Sequence, residues 1–305
     1  MNVIRANVLG FCSGVRRAVE IAWHESVALN NVFNGHTPEV DPDEIGSIYT
    51  LGPLIHNPMV LKALSERGVG VLNDEFLPVE AINSTVIIRA HGVSPAVENK
   101  FSRQGVRILD ATCPHVKETQ NRAFYYAEKG FKIFLAGEKD HGEIAGIRGY
   151  AEAAAESSCI LISSPLEAEE CAAEAFFEDQ NVNAALIGQT TLSSAEYKAI
   201  EAAIQKYIPN LITVDSLCSA TSVRQKALRE LCKKVEALII AGGKDSSNTR
   251  RLLALARELG KPAWLAETAE ELPPEIWGFR TVGISAGAST PDELVDSIEE
   301  TLSAN

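Results

Sequence analysis

What this 305-residue chain lacks narrows the field first. No apolar run approaches bilayer length, and the opening MNVIRANVLG carries Arg5 without a charged, then apolar, then small pattern. Neither membrane insertion nor export is therefore expected, and a cytoplasmic location is. Positive charge is scarce, with 28 Lys and Arg against 41 Asp and Glu and a net charge of -13. That deficit argues against nucleic acid or an anionic membrane as partner, because both call for a basic footprint. An anionic small ligand stays compatible if backbone amides, hydroxyls and imidazoles hold it locally. Cysteine is sparse too, at six residues, and no two form a CxxC pair. In a reducing compartment these thiols read as metal ligands, nucleophiles or small core residues rather than disulfides.

What is present is alternation. Short apolar runs (NVLG, SIYTLG, STVIIRA, VRILDA, KIFLAG, CILIS, AALIG, ITVDS, ALIIAGG, TVGIS) alternate with helical patterns such as NPMVLKALSERG and NTRRLLALARELG. About twelve strands separated by helices define an α/β chain with small, mainly parallel sheets.

Three kinds of strand-to-helix junction each occur three times. One carries cysteine: NVLGFC ending at Cys12, RILDATC at Cys113 and ITVDSLC at Cys218, spaced 101 and 105 residues apart. A second carries His56, then His141 with Glu143, then Ser246, Ser247 and Asn248. The third carries His91, Thr190 and Ser289, and its helix starts are well marked. Thr290 with Glu293, and Ser193 with Glu196, have capping-box spacing, and Ser94 is a cap followed by Pro95. Recurrence near a 100-residue interval predicts three similar α/β domains, 13–113, 114–217 and 218–305, the last joined by the N-terminal strand 1–12. A pseudo-threefold arrangement would turn the carboxyl ends of their strands toward one central site.

Three thiolates converging from three domains could hold zinc or an iron-sulfur cluster, and spacing alone does not decide. Ligands so far apart favour a large, preassembled cofactor. A 4Fe-4S cluster on three cysteines would leave one iron open as a Lewis acid, able to bind an alcohol. Glu143 is the carboxylate placed to donate the proton that carbon-oxygen cleavage needs. Histidine, serine and asparagine at helix starts supply donors for a phosphate or diphosphate.

The segments GFCSGVRRAV, AHGVS, DATCP, QTTLS, SATSVRQ after Cys218, GGKDSSNTRRL and SAGASTPDEL together resemble the 4-hydroxy-3-methylbut-2-enyl diphosphate reductases, the LytB or IspH family of the non-mevalonate isoprenoid pathway. The resemblance spans nearly the whole chain. It implies one 4Fe-4S cluster on Cys12, Cys113 and Cys218, and reductive removal of an allylic hydroxyl to give isopentenyl and dimethylallyl diphosphates. It also implies diphosphate binding by His56, His91, Ser246, Ser247, Asn248 and Ser289, a pocket shaped by His141 and Thr190, and protons from Glu143. Electrons would come from ferredoxin or flavodoxin. The chain departs from the family at Gly142, where proline is usual, which predicts a more flexible loop before Glu143. A turn-rich stretch, NNVFNGHTPEVDPDEIGS, reads as a surface insertion around 30–47.

Simpler readings take the remaining residues. Cys159, Cys171 and Cys232 lie in apolar or helical runs and read as small core residues. His24, His36 and His115 read as surface or packing residues. Rival functions are a non-redox iron-sulfur hydro-lyase acting on a phosphorylated alcohol, a zinc enzyme that would need a P-C-x-x-C partner this chain lacks, and a cluster-based redox sensor.

Overall fold

The computed structural model describes residues 1–33, 46–73, 84–155 and 159–304; most of the stretch expected as an insertion, His36 included, lies outside them. The chain opens with β1 (Asn2–Arg5), α1 (Ser13–Phe33), β2 (Ile48–Leu51), α2 (Pro58–Ser65), β3 (Val69–Leu72), β4 (Thr85–Ile88), α3 (Pro95–Ser102) and β5 (Arg107–Asp110). It continues through α4 (Pro114–Glu128), β6 (Lys132–Ala136), α5 (Gly142–Ala154), β7 (Cys159–Ile162), α6 (Pro165–Glu178), β8 (Ala184–Gly188), α7 (Ser194–Gln205) and β9 (Ile212–Thr213). The last part holds α8 (Ser219–Cys232), β10 (Ala237–Ala241), α9 (Ser247–Glu258), β11 (Ala263–Ala266), β12 (Thr281–Ala286) and α10 (Asp292–Ser303). No helix among the described residues is long and apolar enough to cross a membrane.

The strands form three four-stranded sheets, ordered β3-β2-β4-β5, β7-β6-β8-β9 and β11-β10-β12-β1, with every pairing parallel. The three orders are identical once β1 is given the fourth place in the third sheet. By density of contacts the chain divides into two compact units. One comprises Met1–Glu20, Ile55–Arg67 and Ser219–Asn305 and holds the third sheet; the other comprises Ile21–Leu54 and Gly68–Cys218 and holds the first two.

The apolar runs follow from burial on two faces. In β6, Ile133 and Leu135 pack with Ala123 and Ala127 of α4 and Ile144, Ile147 and Ala151 of α5. The alternate residues Phe134 and Ala136 face Ala168, Ala172 and Ala175 of α6 and Tyr197, Ile200 and Ile204 of α7. A strand covered on both sides reads as a continuous hydrophobic run, because successive side chains point to opposite faces. Each fully buried Leu, Ile or Phe contributes about 1.5–3 kcal/mol of transfer free energy. The third sheet repeats this, with Ile239 and Ile284 against Leu294, Val295 and Ile298 of α10, and Leu238 and Ile240 against Leu228, Leu231, Leu252 and Leu255 of α8 and α9.

Two local expectations fail for a shared reason. The first strand is Asn2–Arg5 rather than NVLG, since pairing with Thr281–Ile284 of β12 selects it. Thr290 does not form a capping box with Glu293; its hydroxyl donates instead to the Ala241 carbonyl at 2.9 Å. In both places a long-range partner displaces a local one. The serine caps form: Ser94 Oγ accepts from Val97 N with Pro95 in the first turn, and Ser193 Oγ accepts from Glu196 N, the serine half of the expected capping box.

Candidate active site

In open parallel sheets, ligands lie beyond the carboxyl ends of the strands at the point where strand order reverses. Here that point falls between β2 and β4, β6 and β8, and β10 and β12. These are the strands followed by His56 and His91, by His141 and Thr190, and by Ser246 and Ser289. The cysteines follow the remaining edge strand of each sheet: Cys113 after β5, Cys218 after β9 and Cys12 after β1. Each precedes the first residue of a helix, α4, α8 or α1.

One hydrogen bond recurs in all three sheets and fixes these loops. The amide of Cys12 donates to the Ala288 carbonyl at 3.0 Å, that of Cys113 to Ala90 at 2.9 Å, and that of Cys218 to Thr190 at 2.9 Å. Every cysteine is thereby tied to the tip that follows the third strand of its own sheet. None of the three is in a disulfide, all are of intermediate exposure, and Cys12 Sγ accepts a hydrogen bond from Val15 N at 3.4 Å.

In the unit holding the first two sheets, His141 caps α5, its Nδ1 accepting from Glu143 N at 3.1 Å. That tautomer leaves Nε2 to carry the proton. The rings of His91 and His141 meet edge to face at 5.1 Å. Glu143 is 2% exposed, and its carboxylate is gripped twice by one residue. Thr190 N donates to Oε1 at 2.6 Å and Thr190 Oγ1 donates to Oε2 at 3.0 Å. A buried carboxylate so held has a fixed orientation, which a proton donor requires. Gly142 is the first residue of α5 rather than part of a loose loop, and the Arg89 guanidinium lies 3.3 Å from where its Cβ would stand.

In the other unit, Ser246 caps α9, and Ser247 and Asn248 form its first turn. Asn248 Oδ1 accepts from Ala288 N at 3.1 Å, turning the amide nitrogen the other way. Ser289 Oγ lies 3.3 Å from Ser246 Oγ and donates to the His56 carbonyl at 3.2 Å. Gly243 lets the His56 backbone approach: a Cβ there would stand 2.4 Å from the His56 carbonyl oxygen. Backbone cannot yield as a flexible side chain does. Gly243→Ala is therefore expected to lower stability by about 1–3 kcal/mol, the usual cost of overpacking. Urea unfolding checks this, and an unchanged midpoint would remove the close approach as a constraint.

Sequence reasoning missed several supports. Arg224, 4% exposed, donates to the carbonyls of Gly10 at 2.6 Å and Ala220 at 3.0 Å, pinning the loop ahead of Cys12. Asp110 accepts from Thr112 N at 2.9 Å and pairs with Lys117 at 3.1 Å, bracing the loop ahead of Cys113. Burial alone would raise the Asp110 carboxyl, but the hydrogen bonds from Thr112 and Lys117 outweigh it and hold it below its ordinary value. Gln120, fully buried on α4, stands against Gly92 and Gly146, where a Cβ would meet its amide at 2.4 and 2.8 Å. Arg224 and Asp110 lie inside the SATSVRQ and DATC segments, so those motifs held the signal. Gln120 has only a helical spacing to mark it. His115 packs through Nε2 on the Ser216 carbonyl at 3.0 Å.

Three parallel sheets that each offer a thiol and two polar tips beyond their strand ends, one tip bearing an oriented buried carboxylate, define an α/β enzyme for a small polar substrate. The finer assignment comes from comparison. The chain belongs to the LytB protein family, matching it over residues 3–303. It is 41% identical to the 4-hydroxy-3-methylbut-2-enyl diphosphate reductase of Treponema denticola, over 99% of both chains. It is 35% identical to the enzyme of that name from Aquifex aeolicus, over 99% of this chain and 96% of that one. The solved E-1-hydroxy-2-methyl-but-2-enyl-4-diphosphate reductase of Plasmodium falciparum superposes with a TM-score of 0.84 at 25% identity, over 99% of this chain and 88% of that one. A second solved structure, described as (E)-4-hydroxy-3-methyl-but-2-enyl diphosphate reductase, the terminal enzyme of the non-mevalonate pathway, gives a TM-score of 0.66 at 33% identity, over 100% of both chains.

Proposed function

We propose that this chain is the terminal reductase of the non-mevalonate isoprenoid pathway. It removes the allylic hydroxyl of 4-hydroxy-3-methylbut-2-enyl diphosphate to give isopentenyl and dimethylallyl diphosphates. Two electrons and two protons are consumed, the C–O bond becomes C–H, and water leaves. The observation that carries the reading is the oriented Glu143 carboxylate, buried between His141 and Thr190, in a chain that matches the family over residues 3–303. Relatives named reductases at 35–41% identity do not favour the hydro-lyase reading.

The donor set fits a 4Fe-4S cluster. Cys12, Cys113 and Cys218 are outside any disulfide and partly exposed, occupy equivalent places in the three sheets, and are soft thiolate ligands of the kind iron-sulfur clusters take. When bound, the cluster supplies single electrons and a Lewis-acidic iron. The remaining steps belong to the chain. His56, His91, Ser246, Ser247, Asn248 and Ser289 bind the diphosphate through short-range donors, which a chain of net charge -13 needs in place of a general positive field. His141, protonated at Nε2, and Thr190 shape the pocket around the hydroxyl. Glu143 holds the proton at a carboxyl oxygen and passes it toward the departing hydroxyl. Ferredoxin or flavodoxin delivers the electrons, and cysteines outside any disulfide suit a cytoplasmic location.

Anaerobically purified protein tests this directly. Turnover of the hydroxylated diphosphate should require a reduced donor, with iron and sulfide present in equal amounts. Turnover unchanged without reductant would establish the lyase reading instead, and stoichiometric zinc without iron would establish a zinc enzyme.

A further inference from the structure

A reductase that draws electrons from another protein needs a surface for it, and one part of this acidic chain is basic. Residues 219–261 contain ten Lys and Arg against four Asp and Glu, while the rest of the chain contains 18 against 37. The segment lies wholly within the compact unit that holds the third sheet. Its first element is α8, which starts at the residue after Cys218.

Bonding partners separate the charges that hold the fold from those that face outward. Arg224 is buried on the Gly10 carbonyl, Arg257 is bound to the Ala263 carbonyl, Lys261 to the Val235 carbonyl, and Lys244 to Glu267 and Glu271. Lys226, Arg229 and Lys234 are exposed, and none forms an ion pair among the described residues. Lys233 adds an exposed ammonium paired with Glu230. Val223, 46% exposed, is three residues before Lys226, so an apolar side chain and two cations share one outer face of α8. Lys226 stands about 10 Å along the helix axis from the start of α8.

We infer that this face of α8, Val223 with Lys226 and Arg229, together with Lys234 just past the end of the helix, is the docking surface for an acidic electron-carrier protein. The inference rests on the reductase reading above. Opposite charge steers the encounter and raises its rate, while the overall charge of -13 would otherwise repel an acidic carrier. Each docking delivers one electron, so two successive encounters supply one turnover.

Steady-state kinetics on the cluster-loaded enzyme test it, with a purified acidic ferredoxin as one donor and reduced methyl viologen as the other. Lys226→Glu with Arg229→Glu should raise the KM for ferredoxin about tenfold or more. Viologen-driven turnover should stay within about twofold, since the variant leaves chemistry intact. Added salt should weaken ferredoxin use by the wild type and have little effect on the variant. Lys226→Arg with Arg229→Lys should restore wild-type values. An unchanged KM, or an equal rise in Lys198→Glu on α7, would overturn the assignment. So would duplex DNA binding at physiological salt by the wild type that the reversal abolishes. Absence of viologen-driven turnover in the wild type would instead defeat the reductase reading, so the two failures are distinguishable.

Discussion

Replacing Glu143 with glutamine is expected to lower kcat by about 10²–10⁴ while leaving substrate affinity and cluster content near wild type, because removal of a positioned general acid costs that much. Glutamine keeps the shape. Its carbonyl oxygen can accept from Thr190 N in place of Oε1, and Thr190 Oγ1 can reverse to accept from the amide in place of Oε2. The fold therefore has little reason to change, and the loss isolates the proton. The rate loss corresponds to about 3–5 kcal/mol of transition-state stabilisation. Thr190→Val removes only the orienting hydroxyl and should fall between wild type and the glutamine variant. Single-turnover kinetics with an equilibrium binding measurement separate the terms. If Glu143→Gln retains more than about a tenth of wild-type kcat, the proton comes from another group.

The repeat was legible because it is written in what interrupts the apolar runs. A strand buried on both faces has a continuous hydrophobic sequence, so a cysteine, histidine, serine or threonine at its carboxyl end stands out, and three sets of three such ends, each recurring near a 100-residue interval, reveal the unit. The equivalence extends to single hydrogen bonds, as the three cysteine amides show. What escaped the sequence was decided by partners far along the chain. NVIR and NVLG are both short apolar runs beside the same loop, and only the register of Asn2 against Thr281 selects the first. Thr290 has a capping-box pattern, yet the Ala241 carbonyl captures its hydroxyl. Arg224 looks like an ordinary helical cation until the Gly10 carbonyl, 214 residues away, is brought to it. β3 and β11 are hard to see because Gly70 breaks one run and Trp264 lies in a stretch followed by acidic residues.

The same logic separates the six cysteines, which look alike in composition and differ in surroundings. Cys113→Ala should remove a cluster ligand without harming its loop, because that loop is held by the backbone bond to Ala90 and by Asp110 on Thr112 and Lys117. Iron content should fall well below the about four atoms of a full cubane, and turnover should be lost, with thermal unfolding of the apoprotein little changed. Cys159 is the opposite case. It pairs with Ile133 across β6 and β7 and packs against the cluster that holds Ile147 and Ala151, and burial pushes its thiol up to about 12, Glu152 adding to the rise and Arg148 opposing it. A raised thiol pKa keeps the group protonated at neutral pH, so the thiolate is scarce and alkylation slow. Cys159→Ala should retain full iron and activity and cost about 1 kcal/mol from the small void it leaves. Alkylation of the native apoprotein at pH 7, read by peptide mass, should modify Cys113 well before Cys159. A fully iron-loaded, active Cys113→Ala protein would end the three-cysteine assignment, and faster labelling of Cys159 would show that its surroundings are not those of a core residue.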